Sequence, residues 1–195
     1  TRVGSRGGES RYGEFSCRRN AGYAGADGGS QASSLFRTTT VAAVPGVELA
    51  VPVVAATAFL TDASGEQLSV HGIDVTNPAV LGVYRSTADG PSDTDDELLF
   101  ISQPDSILLT ESFAARRGIA RGDGLILDTP TGRHSFTVRG LLKPRGFARV
   151  HGGNLLVMDI GAAEVAFTRP GYVNRIDIVV APTAELQRVH DGVLA

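Results

Sequence analysis

The chain has 195 residues, of which 42% are apolar and 20% charged, with a formal net charge of −3. That length and composition suffice for a buried core in one domain or in two small subdomains. The acidic balance argues against a nucleic-acid partner, which leaves a basic footprint, and a lone cysteine, Cys17, excludes an internal disulfide and says little about compartment.

Residues 1–37 are rich in Gly, Ser and Arg and lack sustained periodicity. Six Arg against three acidic residues make this segment +3, whereas 38–195 is −6. The composition predicts a flexible or poorly packed segment ahead of an ordered domain over 38–195. The longest apolar run, Leu49 to Leu60, contains Pro52 and Thr57 and falls well short of the roughly 20 residues of a membrane-spanning helix. No charged-then-apolar signal segment stands at the start.

From Val41 the elements come quickly. Val51 to Thr61 reads as a strand, Ala63-Ser64-Gly65 as a turn, and Gln67 to Val75 as the antiparallel partner, with Leu68, Val70 and Ile73 directed to a core. Residues 76–106 hold Pro78, Pro91 and Pro104, the acidic group Asp93, Asp95, Asp96 and Glu97, and the apolar clusters Val80 to Tyr84 and Leu98 to Ile101. They read as a long loop around a short strand or turn, an inserted loop or subdomain.

Ile107 to Leu142 is locally the most informative stretch. Thr110 or Glu111 is expected to open a helix with side-chain oxygens, Phe113, Ala114 and Ile119 to cover one face, and Gly118 to end it in a left-handed conformation. The turn Gly122-Asp123-Gly124 then leads into Leu125-Ile126-Leu127. Pro130-Thr131-Gly132 reverses the chain into Ser135-Phe136-Thr137-Val138, where apolar and polar residues alternate. Asp123 is suited to bond local backbone N–H groups and fix the helix-to-strand angle.

Asn154 to Met158 reads as a strand, Ile160 to Phe167 as a short helix and Ile176 to Val180 as a strand. Thr183 to Val193 reads as a helix with Leu186, Val189 and Val193 on one side. Helices and strands mix without a regular βαβ repeat. The expected fold is α+β, a mixed and mainly antiparallel sheet with short helices.

Catalytic and ligand chemistry finds little support. His151-Gly152-Gly153 is similar to the backbone oxyanion segment of lipases, but no G-x-S-x-G elbow accompanies it, and a glycine turn is the simpler account. His71, His134 and His190 have no metal-ligand spacing. The acidic group 93–97 lacks the central Gly and distant Glu of a calcium loop and reads as solvated. Gly122-Asp123-Gly124 matches no phosphate-loop pattern. Arg116, Arg117 and Arg121 could meet an acidic partner, with a solvated helix face as the plainer alternative. No catalytic residue, metal or cofactor is expected.

The run from Ile107 to Leu142 resembles the extracytoplasmic domain of FtsX-like, MacB-type ABC transporter permeases, in which L-x-E-x-x-A-x-x-x-G leads into G-D-x-x-x-L, a Gly turn and F-x-V-x-G. The matching residues are Leu109, Glu111, Ala114, Gly118, Gly122, Asp123, Leu127, Gly132, Phe136, Val138 and Gly140. Upstream, Val44-Pro45-Gly46-Val47 with Ala50 to Val54, and then Gly72-Ile73-Asp74, look like the family's first two strands. Downstream, Leu155 to Asp159, Ala162-Ala163, Phe167 and Val173 to Ile178 look like its closing strand, helix and strand.

The resemblance implies a non-catalytic domain on the extracytoplasmic face of the membrane, periplasmic in a Gram-negative cell, tethered by membrane helices outside this chain. It would couple movement driven by a separate ABC ATPase to an extracytoplasmic partner or substrate. Its partners would be that ATPase, the rest of the permease and a periplasmic or cell-surface protein, with dimerisation in the intact transporter. Gly118, Gly122, Asp123, Gly132 and Gly140 would be its structural motif. The long irregular stretches 76–106 and 143–154 offer Tyr84, Phe100 and Phe147 as candidate partner contacts, with core positions at strand ends as the alternative for Phe100 and Phe147. Two other readings stand beside this one: a small β-barrel-like binding domain, since similar G-D hairpins occur in psi-type barrels, and an esterase-like enzyme resting on His151 and its glycines.

Overall fold

The computed structural model describes residues 2–4, 11–15, 38–62, 64–80, 103–142 and 153–194. In chain order the strands are β1 (Arg2–Gly4), β2 (Arg11–Phe15), β3 (Val47–Leu60), β4 (Gln67–Ile73), β5 (Ser106–Thr110), β6 (Gly124–Thr129), β7 (Gly132–Leu142), β8 (Leu155–Asp159) and β9 (Arg175–Val180). The helices α1 (Glu111–Arg117), α2 (Ile160–Phe167) and α3 (Leu186–Leu194) are interspersed. The fold is α+β, and the sheet is mainly antiparallel, with parallel pairing at β4–β8 and β5–β7. Two compact units divide the chain, one from Thr1–Val53 with Gly171–Ala195 and the other Val54–Pro170.

In the first unit β1, β2, β9 and residues 47–53 of β3 pair antiparallel in the order β1-β2-β9-β3. The period-2 alternation of β9 puts Ile176, Ile178 and Val180 on one face. They pack with Val189, Leu186 and Val193 of α3 and with Val41 and Val44. Asp177, between them in sequence, is buried and takes two bonds from the Arg175 guanidinium at 2.6 and 2.8 Å. The bidentate geometry offsets the desolvation of both charges.

The second unit is a ring of strands. Pairing runs β3-β4-β8-β5-β7-β6 and returns from β6 to residues 59–60 of β3, so six strands form a closed circuit. Its interior is filled by Val54, Ala58, Leu68, Val70, Ile107, Leu109, Leu125, Leu127, Phe136, Val138, Leu156 and Met158. Such filling is what a small barrel requires, since voids forfeit dispersion contacts. The expected core residues Leu68, Val70 and Ile73 are fully buried. Helix α2 lies directly on β4: a β-carbon built on Gly72 would fall 2.2 Å from Ala163 Cβ. Close approach of helix and strand is the reason glycine stands there.

Residues 2–4 and 11–15 of the segment 1–37 pair as β1 and β2. Other expectations need correction. Residues 38–42 form a helical turn that carries Val41 into the first core, without enough periodic length to be read beforehand. Ser106, placed at the end of the loop, and Ile107 to Thr110, given no strand ahead of the expected helix, form strand β5 with all five residues buried. A strand covered on both faces has no alternation to betray it. The last helix begins at Leu186, because residues 182–184 form a turn closed by Ala184 N–H donating to the Ala181 carbonyl at 3.0 Å. Most of 76–106, including the group 93–97, and Cys17 lie outside the described residues.

Candidate functional site

The module α1, turn, β6–β7 carries the motif residues. Thr110, expected to cap α1 with its hydroxyl, makes no such bond. Its Oγ1 donates to the Gly153 carbonyl, which also accepts from Ser112 Oγ at 3.3 Å. Thr110 is fully buried, and its hydroxyl proton satisfies the buried Gly153 carbonyl. At the other end Gly118 adopts φ 66°, ψ 29°, and Ile119 N–H donates to the Ala114 carbonyl at 2.9 Å. That arrangement closes the helix with a left-handed residue.

The turn that follows is a compact hydrogen-bonded joint. Gly122, at φ 90°, donates to the Val138 carbonyl at 2.7 Å, and Val138 N–H donates back to the Asp123 carbonyl at 2.9 Å. The Asp123 carboxylate accepts from Ala120 N–H at 2.8 Å. Asp123 therefore ties the end of α1 to the start of β6 and, through its main chain, to β7. Gly132 at φ 126° turns the hairpin, and the adjacent Thr131 Oγ1 donates to the Ala166 carbonyl of α2 at 2.7 Å. Gly140 stands opposite Leu108, where a β-carbon would fall 2.8 Å from Leu108 Cδ2, just after an irregularity that skips Arg139 in the β5–β7 register.

A polar network joins α1 to the β3–β4 turn. Arg116 Nη2 donates to Glu66 Oε1 at 2.6 Å and to Asn154 Oδ1 at 2.7 Å. Arg117 pairs with Asp62, donates to Ser64 Oγ at 3.1 Å and has its Nε 3.8 Å from Glu66 Oε2. Asn154 Nδ2 returns to Glu66 Oε1 at 3.1 Å. The Ser64 hydroxyl, then its N–H and the Arg117 charge, hold the Asp62 carboxyl below its usual range. The Arg116 hydrogen bond and charge, with Asn154, do the same for Glu66. The basic cluster foreseen as a contact for an acidic partner is thus occupied from within the unit: Arg116 and Arg117 face carboxylates, and Arg121 Nε donates to the Arg139 carbonyl at 3.2 Å. Asp62, Glu66 and Asn154 carried no motif, and the only sequence hint was opposite charge on a predicted turn and a predicted helix.

The remaining candidates are not brought together. His71 is buried on β4, His134 contacts Thr131 at 2.9 Å on β7, and His190 meets Asp191 at 3.1 Å on α3. Among the described residues no group of three or more His, Cys, Asp or Glu could hold a metal ion. Gly153 packs against Ser112 with its carbonyl engaged, while His151 and Gly152 lie outside the described residues, as do Tyr84, Phe100 and Phe147. Among the described residues no helix is long and apolar enough to cross a membrane.

A family model described as the MacB-like periplasmic core domain matches residues 9–195. The chain belongs to this family. As a MacB-like periplasmic core domain, it is 25% identical over 115 residues to an uncharacterized ABC transporter permease protein of Mycobacterium tuberculosis. That match covers 58% of this chain and 14% of the relative, so the chain spans about a seventh of the curated protein it matches. Among solved structures, the periplasmic region of MacB from Actinobacillus actinomycetemcomitans shares the fold at a TM-score of 0.50 with 11% identity, covering 82% of this chain and 70% of that one. The extracellular domain of the noncanonic ABC-type transporter YknZ from Gram-positive bacteria aligns with a TM-score of 0.49 at 13% identity, over 82% and 77% of the two chains.

Proposed function

We propose that this MacB-like domain works mechanically, as the extracytoplasmic part of an ABC transporter permease that passes ATP-driven movement to a partner or substrate outside the membrane. The observation that carries the reading is the family match over residues 9–195. The packed interior of the 54–170 unit is in keeping with it, because a module that transmits force must hold its shape. ATP hydrolysis belongs to a separate ATPase, and the domain changes state by rigid-body movement rather than by chemistry. Tyr84, Phe100 and Phe147 are the proposed partner contacts, since aromatic side chains supply large contact area at low entropic cost.

The test uses the intact transporter with its ATPase. Tyr84→Ala with Phe147→Ala is expected to lower export while membrane insertion and ATP hydrolysis persist. Normal export by the double variant removes these residues, and export by a permease lacking residues 38–195 removes the mechanical role. The barrel-like binding reading is favoured by one observation, the closed circuit of six strands. It predicts that the isolated domain binds a small ligand without the ATPase.

A further inference from the structure

The six-strand circuit is sealed unevenly. β6 and β7 share six residue pairs and β4 and β8 share five, whereas β6 meets β3 through two, Phe59↔Asp128 and Leu60↔Leu127. Thr61 Oγ1 adds one bond to the Ile126 carbonyl at 3.3 Å. Leu60 and Leu127 close the core from inside this seam, while Phe59 and Ile126 stand about half exposed on its outer side. Local opening is easiest where ladder bonds and buried contacts are fewest.

Directly after the seam the chain turns into β4 at residues 62 and 64–66. This turn is braced internally by Ser64 N–H to Asp62 Oδ1 at 2.9 Å and Gly65 N–H to the Asp62 carbonyl at 3.2 Å. Among the described residues its hydrogen bonds to α1 run through side chains: Glu66 to Arg116, and Asp62 and Ser64 to Arg117. The helix side is firmly seated, since the Arg116 guanidinium lies 5.4 Å from the ring centroid of fully buried Phe113. Leu60 N–H donates to the Glu66 carbonyl at 3.0 Å, so the end of β3 moves with this turn, and the turn's hold on α1 rests on partly exposed ion pairs, the class of contact that salt screens.

We propose that the Asp62–Glu66–Arg116–Arg117–Asn154 network is a salt-releasable latch on the β3–β6 seam, and that its release opens the circuit at residues 59–61 and 126–128 while the other strands stay paired. Opening bares Leu60 and Leu127 beside Phe59 and Ile126, which joins buried and exposed apolar residues into one surface. The inference does not depend on the transport reading.

Amide hydrogen exchange on the 195-residue chain tests it, comparing wild type, Arg116→Gln with Arg117→Gln, and Arg188→Gln as a control that removes an exposed ion pair on α3. At low salt the double variant is expected to exchange about tenfold faster at 59–61 and 126–128, with β5, β8 and the control unchanged. Wild type should approach the variant at about 1 M NaCl, where the screening length is about 3 Å. Unchanged seam exchange, or acceleration spread equally over β5 and β8, overturns the latch. If the double variant does not fold, the wild-type salt series decides alone, and exchange at the seam that stays flat with salt overturns it equally.

Discussion

Replacing Gly72 by alanine should strike the contact between β4 and α2. The added carbon would lie 2.2 Å from Ala163 Cβ and 3.2 Å from Val54 Cβ, and the first distance is more than an ångström short of the 3.4 Å at which ordinary contact begins. Ala163 and Val54 are both fully buried, and Ala163 sits on a helix, so neither can swing aside as a long side chain would. Overpacking of this kind costs about 1 to 3 kcal/mol, and rigid neighbours on both sides place Gly72→Ala near about 3. For a chain of this size that lowers Tm by roughly 6 to 12 °C. Urea and thermal unfolding followed by circular dichroism measure it. Adding Ala163→Gly removes the atom struck; although glycine in a helix itself costs about 1 kcal/mol, the pair should recover about 2. A Gly72→Ala variant as stable as wild type, or a double variant whose losses simply add, would refute the packing argument.

Gly122→Val should destabilise by about 1 to 3 kcal/mol in thermal unfolding through backbone strain alone, because φ is 90° and nothing lies within 4 Å of the new carbon. Asp123→Leu should lose roughly 0.5 to 1.5 kcal/mol, the net worth of one hydrogen bond, since water takes over the exposed Ala120 N–H, and an unchanged Tm for either would mean that the turn holds nothing. Thr110→Val, nearly isosteric, should cost about 1 to 2 kcal/mol because the Gly153 carbonyl keeps only the longer Ser112 bond, an effect a urea series would resolve. Asp62 and Glu66 titrate below their ordinary values, so their contribution is present above the unfolded carboxylate range and disappears as pH falls through the lowered folded values. Wild type should therefore lose more stability between about pH 5 and 3 than Asp62→Asn with Glu66→Gln, and parallel stability curves for the two would contradict this.

Local signals carried much of this fold into view. Phe136 and Val138 alternate with polar residues on a hairpin whose other strand carries Leu125 and Leu127, and all four are buried. Gly118 follows a helix and is left-handed, and Ile160 to Phe167 matched helix α2 end to end because Asp159 accepts from Gly161 and Ala162 at its start. What stayed hidden was non-local. The β3–β6 closure joins Leu60 to Leu127 with no local pattern to announce it, and β5 is buried on both faces. The charged network depended on the same distances: Arg116 and Glu66 are 50 residues apart, and only the pairing of β3, β4 and β8 brings them within reach. Periodicity names a side chain's face, while its partner across the fold comes from topology.

The order in which the two units use the chain bears on how the molecule forms. Residues 54–170 are one uninterrupted segment, so every pairing of that unit is available once this segment exists. The other unit must wait, since β9 joins β3 through Val47↔Val180 and Val53↔Arg175. As an open coil the intervening chain would make this a slow, entropically unfavourable closure, because loop entropy grows with length and distant contacts form late. Folding of residues 54–170 first would replace that long coil with a compact body, leaving a much shorter effective loop to close. During synthesis, residues 47–53 would then spend an interval without β9, and the apolar Val47, Leu49, Val51 and Val53 are the stretch a chaperone would meet.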